Sequence, residues 1–286
     1  MADTRTIKKP LELLSLLIAS RGEGGLRPLA DQLDVPLSTA HRWVASLQTA
    51  GFISREKKGH YHPGAALIAL LQSVDINQVI KVLAVPLLGE LSRAVRRTVQ
   101  LGVFERDMVT YLVKQPYGRE QLFTREGMQL EAYCSGLGKV LLAYSDDELL
   151  DSYVADGPFV RLTPKTKTDP AQLRTELAAV RARGFAWDDE EFTEGLVCLA
   201  VPVFGANDRV CAALSISAAG DGAKADLLPC LGPLRDCAAA LGQRLAGPSL
   251  LAPSPSFRGS RRLNPEARNE AGAASGFRVR PLGAPE

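Results

Sequence analysis

Histidine is scarce: the 286 residues hold three, His41, His60 and His62, and residues 63–286 contain none. Most of the chain therefore lacks the commonest general base and the commonest metal ligand, which argues against hydrolytic or metal-dependent catalysis. Cysteine offers no framework either. Cys134, Cys198, Cys211, Cys230 and Cys237 are odd in number and without CxxC spacing, so neither disulfides nor a zinc site is indicated and each reads as a buried reduced thiol. No apolar run approaches the roughly 18 to 20 residues that a membrane helix needs. The N-terminal MADTRTIKKP lacks the apolar stretch and small-residue cleavage site of an export signal. The expectation is a cytoplasmic, non-enzymatic protein with no metal, no cofactor and no membrane partner. Gly136-Leu137-Gly138-Lys139 does not rescue a phosphate-loop reading, because Val140 occupies the Ser/Thr position and Tyr133 the first glycine position.

What is present is a small basic unit ahead of a larger mixed one. Residues 1–62 carry nine Lys or Arg against six acids, a net of +3, on a chain whose formal charge is only +2, which suggests a polyanionic partner. Pro10 opens a helical pattern with Leu13, Leu14, Leu17 and Ile18 on one face, stopped by Gly22-Glu23-Gly24-Gly25. Leu26, Leu29, Ala30 and Leu33 mark a short second helix, interrupted at Asp34-Val35-Pro36. A third runs from about Pro36 to Thr49 with Leu37, Ala40, Trp43, Val44 and Leu47 on one face, and Gly51 follows it. Two short strand-like runs, Phe52-Ile53-Ser54 and His60-Tyr61-His62, then flank a charged tip. Three helices with a tight turn before the third, followed by a basic hairpin, are the layout of a winged helix-turn-helix, in which the third helix enters the major groove of double-stranded DNA. Candidate DNA contacts are Arg27, Ser38, Thr39, His41, Arg42 and Ser46 on the helices, and Lys57, Lys58 and His60 in the hairpin.

The expected organisation is a DNA-binding domain over 1–63, a linker helix over 64–80, a larger mixed α and β domain over 81–246 and a disordered tail over 247–286. The linker segment is so apolar that a second subunit is its natural cover. A strand pair over Thr98–Phe104 and Met108–Lys114 starts the larger domain. Ser145 with Glu148 reads as a capping box, and Asp169-Pro170 as a cap and first-turn proline for a helix ending at Gly184. Two strands around Val197–Phe204 and Arg209–Ser217 precede a final helix over about Lys224–Leu245.

Four segments in order, Pro36-Leu37-Ser38-Thr39-Ala40-His41-Arg42, the hairpin end Gly59-His60-Tyr61, Ser135-Gly136-Leu137-Gly138-Lys139, and Asp188-Asp189-Glu190-Glu191 through Gly195-Leu196-Val197-Cys198, resemble the IclR family of bacterial transcriptional regulators. The resemblance covers about residues 5–245. It implies an α+β fold: an N-terminal winged helix-turn-helix domain plus a C-terminal GAF-like effector domain with a curved antiparallel sheet, assembled as a homodimer or homotetramer. It also implies a small-molecule effector, a small organic acid of a catabolic pathway, held by Gly136, Leu137, Asp188, Leu196, Cys198, Ser215 and Ser217, and it leaves repression and activation both open. The chemistry of these positions is consistent with that role. Main-chain N–H groups at a helix start suit a carboxylate, and serines at i and i+2 of a strand share one side. Asp188 would repel an anion placed directly on it, so it is expected to accept a hydrogen bond from a ligand hydroxyl or a bridging water. Cys198 reads equally as a contact wall or as a core thiol. Two departures stand out: Tyr133 replaces the frequent histidine, which bears on effector class, and Trp43 replaces a small aliphatic, which bears on packing.

Overall fold

The N-terminal helical patterns become α1 (Arg5–Ala19), α2 (Leu26–Gln32) and α3 (Leu37–Thr49) in a computed structural model that describes residues 5–20, 25–57, 60–118, 122–220 and 222–246. Their apolar stripes meet in one small core of Leu13, Leu14, Leu17, Leu26, Ala30, Ala40 and Val44, closed by Ile53 and Tyr61. Pro10 does not open α1 but lies inside it. The bond it forgoes would have run to the carbonyl of Thr6, close to the helix start, where the loss is tolerable. The tight turn between α2 and α3 reverses at Asp34, whose φ is 51°, held by the Val35 amide on Ala30 O at 3.0 Å and by Lys9 Nζ on Asp34 O at 3.1 Å. Strands β1 (Ile53–Lys57) and β2 (His60–Pro63) form the antiparallel hairpin, with a register shift between Arg55 and Lys57.

The apolar stretch after Gly64 is two helices, α4 (Ala65–Ser73) and α5 (Ile76–Val95), bent by 54°. Asp75 causes the break: it leaves helical geometry and caps α5, Oδ1 accepting from the Gln78 amide at 3.2 Å. No side chain of α4 is buried, whereas α5 buries Ile80, Ala84, Leu88 and Leu91.

The larger domain is one curved antiparallel sheet of β3 (Thr98–Glu105), β4 (Met108–Gln115), β5 (Gln129–Glu131), β6 (Ala186–Asp189), β7 (Leu196–Phe204) and β8 (Val210–Ala219), in the order β5-β4-β3-β8-β7-β6. The β3–β4 hairpin turns at Arg106 and Asp107, both at positive φ, the twist that a two-residue connection needs. One face of the sheet packs on α5, α9 (Ala223–Leu227) and α10 (Leu231–Ala246) through Val99, Leu101, Leu199, Leu214 and Ile216. The final helix expected as one piece is divided at Leu228–Cys230, where Pro229 removes a donor.

The other face takes α6 (Gly136–Ala143), α7 (Asp147–Ala155) and α8 (Pro170–Arg183). Asp169 caps α8 and Gly184 ends it with φ 76°, whereas Asp146 rather than Ser145 caps α7, accepting from the Leu149 amide at 2.9 Å. Ser145 instead bonds back to Leu142 O at 2.8 Å, so the Ser145/Glu148 capping box does not form. Helix α6 lies flat because two glycines leave room. A Cβ on Gly138 would sit 2.2 Å from Ala132 O, and one on Gly102 would press on Val109 and Leu137. Since the first obstacle is backbone, it cannot rotate away. Gly138→Ala should therefore cost about 3 kcal/mol of stability, the upper end for overpacking, and a urea denaturation midpoint unchanged from wild type would contradict this fit.

Candidate functional site

Strand register assembles the inner site. Asp188 on β6 lies opposite Cys198 on β7, Cys198 opposite Ser217 on β8, and Ser217 opposite Thr98 on β3. The next rung carries Ala200, Ser215 and Gln100. Directly opposed residues point to one side of a sheet, so polar groups far apart in sequence share the face toward α6. They are covered by the segment after β4. Gln100 Nε2 donates to Thr124 Oγ1, Lys114 Nζ holds Leu122 O at 2.8 Å together with Thr124 O, and Phe123 stacks on Phe192 with ring centres 5.3 Å apart.

A cavity of about 20 Å³, room for roughly one water, remains beneath this cover. Of the residues expected to hold an effector, Asp188, Leu196, Cys198 and Ser217 line it. Gly136, Leu137 and Ser215 do not. Leu137 packs into the core and Ser215 is buried one rung away. Gly136 faces Ala200 and the backbone of Asp188 and Cys198. Gly136 and Leu137 form the first turn of α6 instead of preceding it, and Ser135 caps that turn, its Oγ accepting from the Gly138 amide at 3.1 Å. Sequence reasoning missed Ser135, Gln100, Tyr111, Leu122, Phe123, Thr124, Leu130 and Phe192, which complete the lining. Gln100 was the findable one, a lone amide in an otherwise apolar strand. Tyr133, whose departure from the family pattern bore on effector class, turns away from the cavity: it stacks on Phe159 and donates its hydroxyl to Val160 O at 2.7 Å.

Charge in the site is arranged around a buried ion pair. Lys139 Nζ, fully buried on α6, meets Glu191 Oε1 at 2.6 Å, and Lys167 reaches the same oxygen at 2.9 Å. Glu191 Oε2 is buried and has no partner among the described residues. Asp188 Oδ1 accepts the Glu191 and Phe192 amides at 2.8 and 3.3 Å, tying the loop that carries Glu191 to β6. Burial pushes the Asp188 carboxyl up to about 7, against the pull of the Lys139 ammonium and these two amides. Burial likewise raises the Cys198 thiol, with Asp188 adding to it. Its Sγ lies 3.2 Å from Ser217 Oγ, and a thiol held neutral in that place is a weak nucleophile.

On the outer site, Ser38, His41, Arg42 and Ser46 are exposed on the side of α3 away from the buried Ala40 and Val44, and Thr39 is half-buried beside them. Ser46 Oγ bonds to Arg42 O at 3.1 Å, so it is engaged with its own helix. Arg27 is exposed on α2, His60 is half-buried in β2, Lys57 ends β1, and Lys58 lies outside the described residues. Trp43 packs against the core of the three helices. The expected tail, 247–286, also lies outside them.

Two family models cover the chain: the IclR helix-turn-helix domain matches residues 6–57, and the bacterial transcriptional regulator IclR C-terminal domain matches residues 68–243. The chain belongs to the IclR family of transcriptional regulators. It is 30% identical over 215 residues to the HTH-type transcriptional regulator BhcR of Paracoccus denitrificans, covering 74% of this chain and 77% of that one. It is 30% identical over 250 residues to the glycerol operon regulatory protein of Streptomyces griseus, covering 84% and 96%. Among solved structures, the Thermotoga maritima IclR superposes with a TM-score of 0.56 at 27% identity, covering 85% of this chain and 99% of that one. The α+β architecture of a winged helix and an effector domain on a curved sheet is thus the family's own. Relatives of this kind are regulators and not enzymes. Among the described residues no single helix is long and apolar enough to cross a membrane.

The Lys139–Glu191 pair makes a measurable claim. Lys139→Met leaves Glu191 only Lys167, at 2.9 Å, so it should cost somewhat less than the roughly 3 to 5 kcal/mol of a buried charge left wholly unpaired, while the double variant with Glu191→Met should recover much of that loss. Equal destabilisation of the single and double variants in urea melts would show that the pair is not what holds α6 to this loop.

Proposed function

We propose that this regulator binds an operator through α3 and the β1–β2 hairpin, and that a small carboxylate effector in the Asp188 cavity sets its operator affinity. The observation that carries the effector reading is the cross-strand row Asp188, Cys198, Ser217, which lines a small cavity under the Phe123–Phe192 pair at the start of α6. An architectural DNA-binding protein would need no such arrangement of acid, amide and hydroxyl. An effector must part the aromatic cover to enter, and the cavity is backed by β3 and β8, whose other face packs on α5. Movement of that sheet passes through α5 and α4 to the winged helix, within the 1 to 3 kcal/mol typical of coupling between two sites, ~5- to 150-fold in affinity.

Two winged helices must meet two half-sites about one helical turn apart, so the active species is a homodimer or a pair of dimers. Ile68, Leu71, Val74, Ile76, Val79 and Val82 form an exposed apolar strip along α4 and α5 that a second copy would cover. Glutamates at Leu71 and Val82 should lower the sedimenting mass to that of a single chain. An unchanged mass would move the interface elsewhere.

The deciding experiment titrates the full chain on DNA from its own upstream region and on unrelated DNA of equal length at about 0.15 M salt, where phosphate-only binding is weak. Sequence-specific retention at a concentration about a thousandfold lower than the control is expected. Arg42→Ala should weaken specific binding about tenfold or more if Arg42 reads a base, and should weaken both DNAs alike if it holds phosphate. Binding identical to wild type would remove Arg42 from the interface. Two substitutions, Ser217→Ala and Gln100→Ala, should abolish the response of the complex to candidate acids while leaving DNA affinity without ligand intact.

A further inference from the structure

The cavity beside Asp188 contains no cation. Its lining is one carboxyl, four neutral polar groups of Gln100, Thr124, Ser135 and Ser217, a thiol, a tyrosine and apolar side chains. The groups facing Asp188 come from four directions: Lys139 on α6, Glu191 on the loop after β6, the thiols of Cys134 before α6 and Cys198 on β7, and the Tyr111 phenol on β4. Burial raises both thiols and the phenol, so they stay neutral at physiological pH. Of the two charged groups, Lys139 is already bonded to Glu191.

The surrounding network sets the charge that the cavity can hold. Lys139 and Lys167 share Glu191, Lys167 also approaches Glu176 at 4.0 Å, and Arg183 bonds Glu176 at 2.8 Å. Of these groups only Lys139 and Glu191 act on Asp188, and their charges cancel, so the network leaves no spare positive charge for an anion in the cavity. Ionised Asp188 is already one uncompensated anion when the cavity is empty. A carboxylate ligand placed beside it would be a second, and like charges at close range in a desolvated site disfavour holding both.

We propose that an anionic effector and ionised Asp188 exclude one another, so that a carboxylate binds in this cavity only with the Asp188 carboxyl protonated, the proton being taken up from solvent wherever Asp188 was ionised. The inference rests on the reading of this cavity as the effector site. Asp188 Oδ1 already accepts two amides, and Oδ2 has no hydrogen bond among the described residues, so Oδ2 receives the proton and can donate it to the ligand carboxylate. With the free carboxyl near 7, ligand affinity is constant below that pH, where Asp188 is already protonated. Above it, affinity falls as the proton must be supplied. The effector domain then responds jointly to its ligand and to pH.

The test uses calorimetry on the full chain with pyruvate and its uncharged amide, in two buffers of different ionisation enthalpy. Pyruvate affinity should fall about thirtyfold between about pH 6 and pH 8.5, with close to one proton taken up per ligand at the higher pH, as linkage requires. Pyruvamide should bind with no proton uptake and no pH dependence. Asp188→Asn keeps an oxygen for the two amides and should bind pyruvate with a flat pH profile. Pyruvate binding that is flat in wild type with no proton uptake overturns the proposal and leaves the cavity reading intact, and so does equal pH dependence for pyruvamide. Failure of both probes to bind at either pH overturns the cavity reading and the proposal with it.

Discussion

A fully buried ammonium cannot stand without a counter-charge, and the fold around Lys139 is organised to supply one. Desolvating an ion costs several kcal/mol even after relaxation, so the loop after β6 must bring Glu191 against α6 wherever Lys139 is buried. That loop is in turn held to β6 by Asp188, whose Oδ1 takes the Glu191 and Phe192 amides. Phe192, placed by the same loop, stacks on Phe123 and covers the cavity. One charge pair thus positions the acid, the aromatic cover and the start of α6 together. The glycines at 102 and 138 allow it geometrically, since α6 could not otherwise lie close enough to the sheet for Lys139 to be enclosed.

The same arrangement leaves the titratable groups that line the cavity, apart from Asp188, uncharged. Thiols and phenol are held neutral by burial, no histidine exists in this part of the chain, and the cavity is closed to all but about one water. What is left is a set of neutral hydrogen-bonding groups around one carboxyl. At the other end of the chain the physical demands are simpler. A three-helix core of leucines and alanines supports a helix face of short polar groups and one arginine. The break at Asp75 separates an α4 with nothing buried from an α5 embedded in the sheet domain, so the two parts meet at one bend.

Much of this was legible residue by residue. The helices of the winged domain follow from apolar spacing, because an amphipathic helix must bury its stripe whatever surrounds it. Asp169-Pro170 and Gly184 mark the ends of α8 because capping is a local matter of one side chain and one turn. Where local signals competed, reading along the chain went astray. Ser145 and Asp146 could each cap α7 and the carboxylate took the place. Pro10 was tolerated inside α1. Asp75 divided an apolar run whose composition alone reads as continuous.

The site divides along the same line. Short contiguous motifs carried the family and the order of the two domains, and the resemblance named four residues that line the cavity, Asp188, Leu196, Cys198 and Ser217. Only the tertiary structure decided that Gln100 and Ser135 join them while Ser215 and Gly136 stand aside, and that Lys139 is consumed by Glu191. The docking of α6 on the loop after β6 and the pairing of β3 with β8 join residues 52 and 117 positions apart, and no pattern along one segment states which residue of the other will lie across from it.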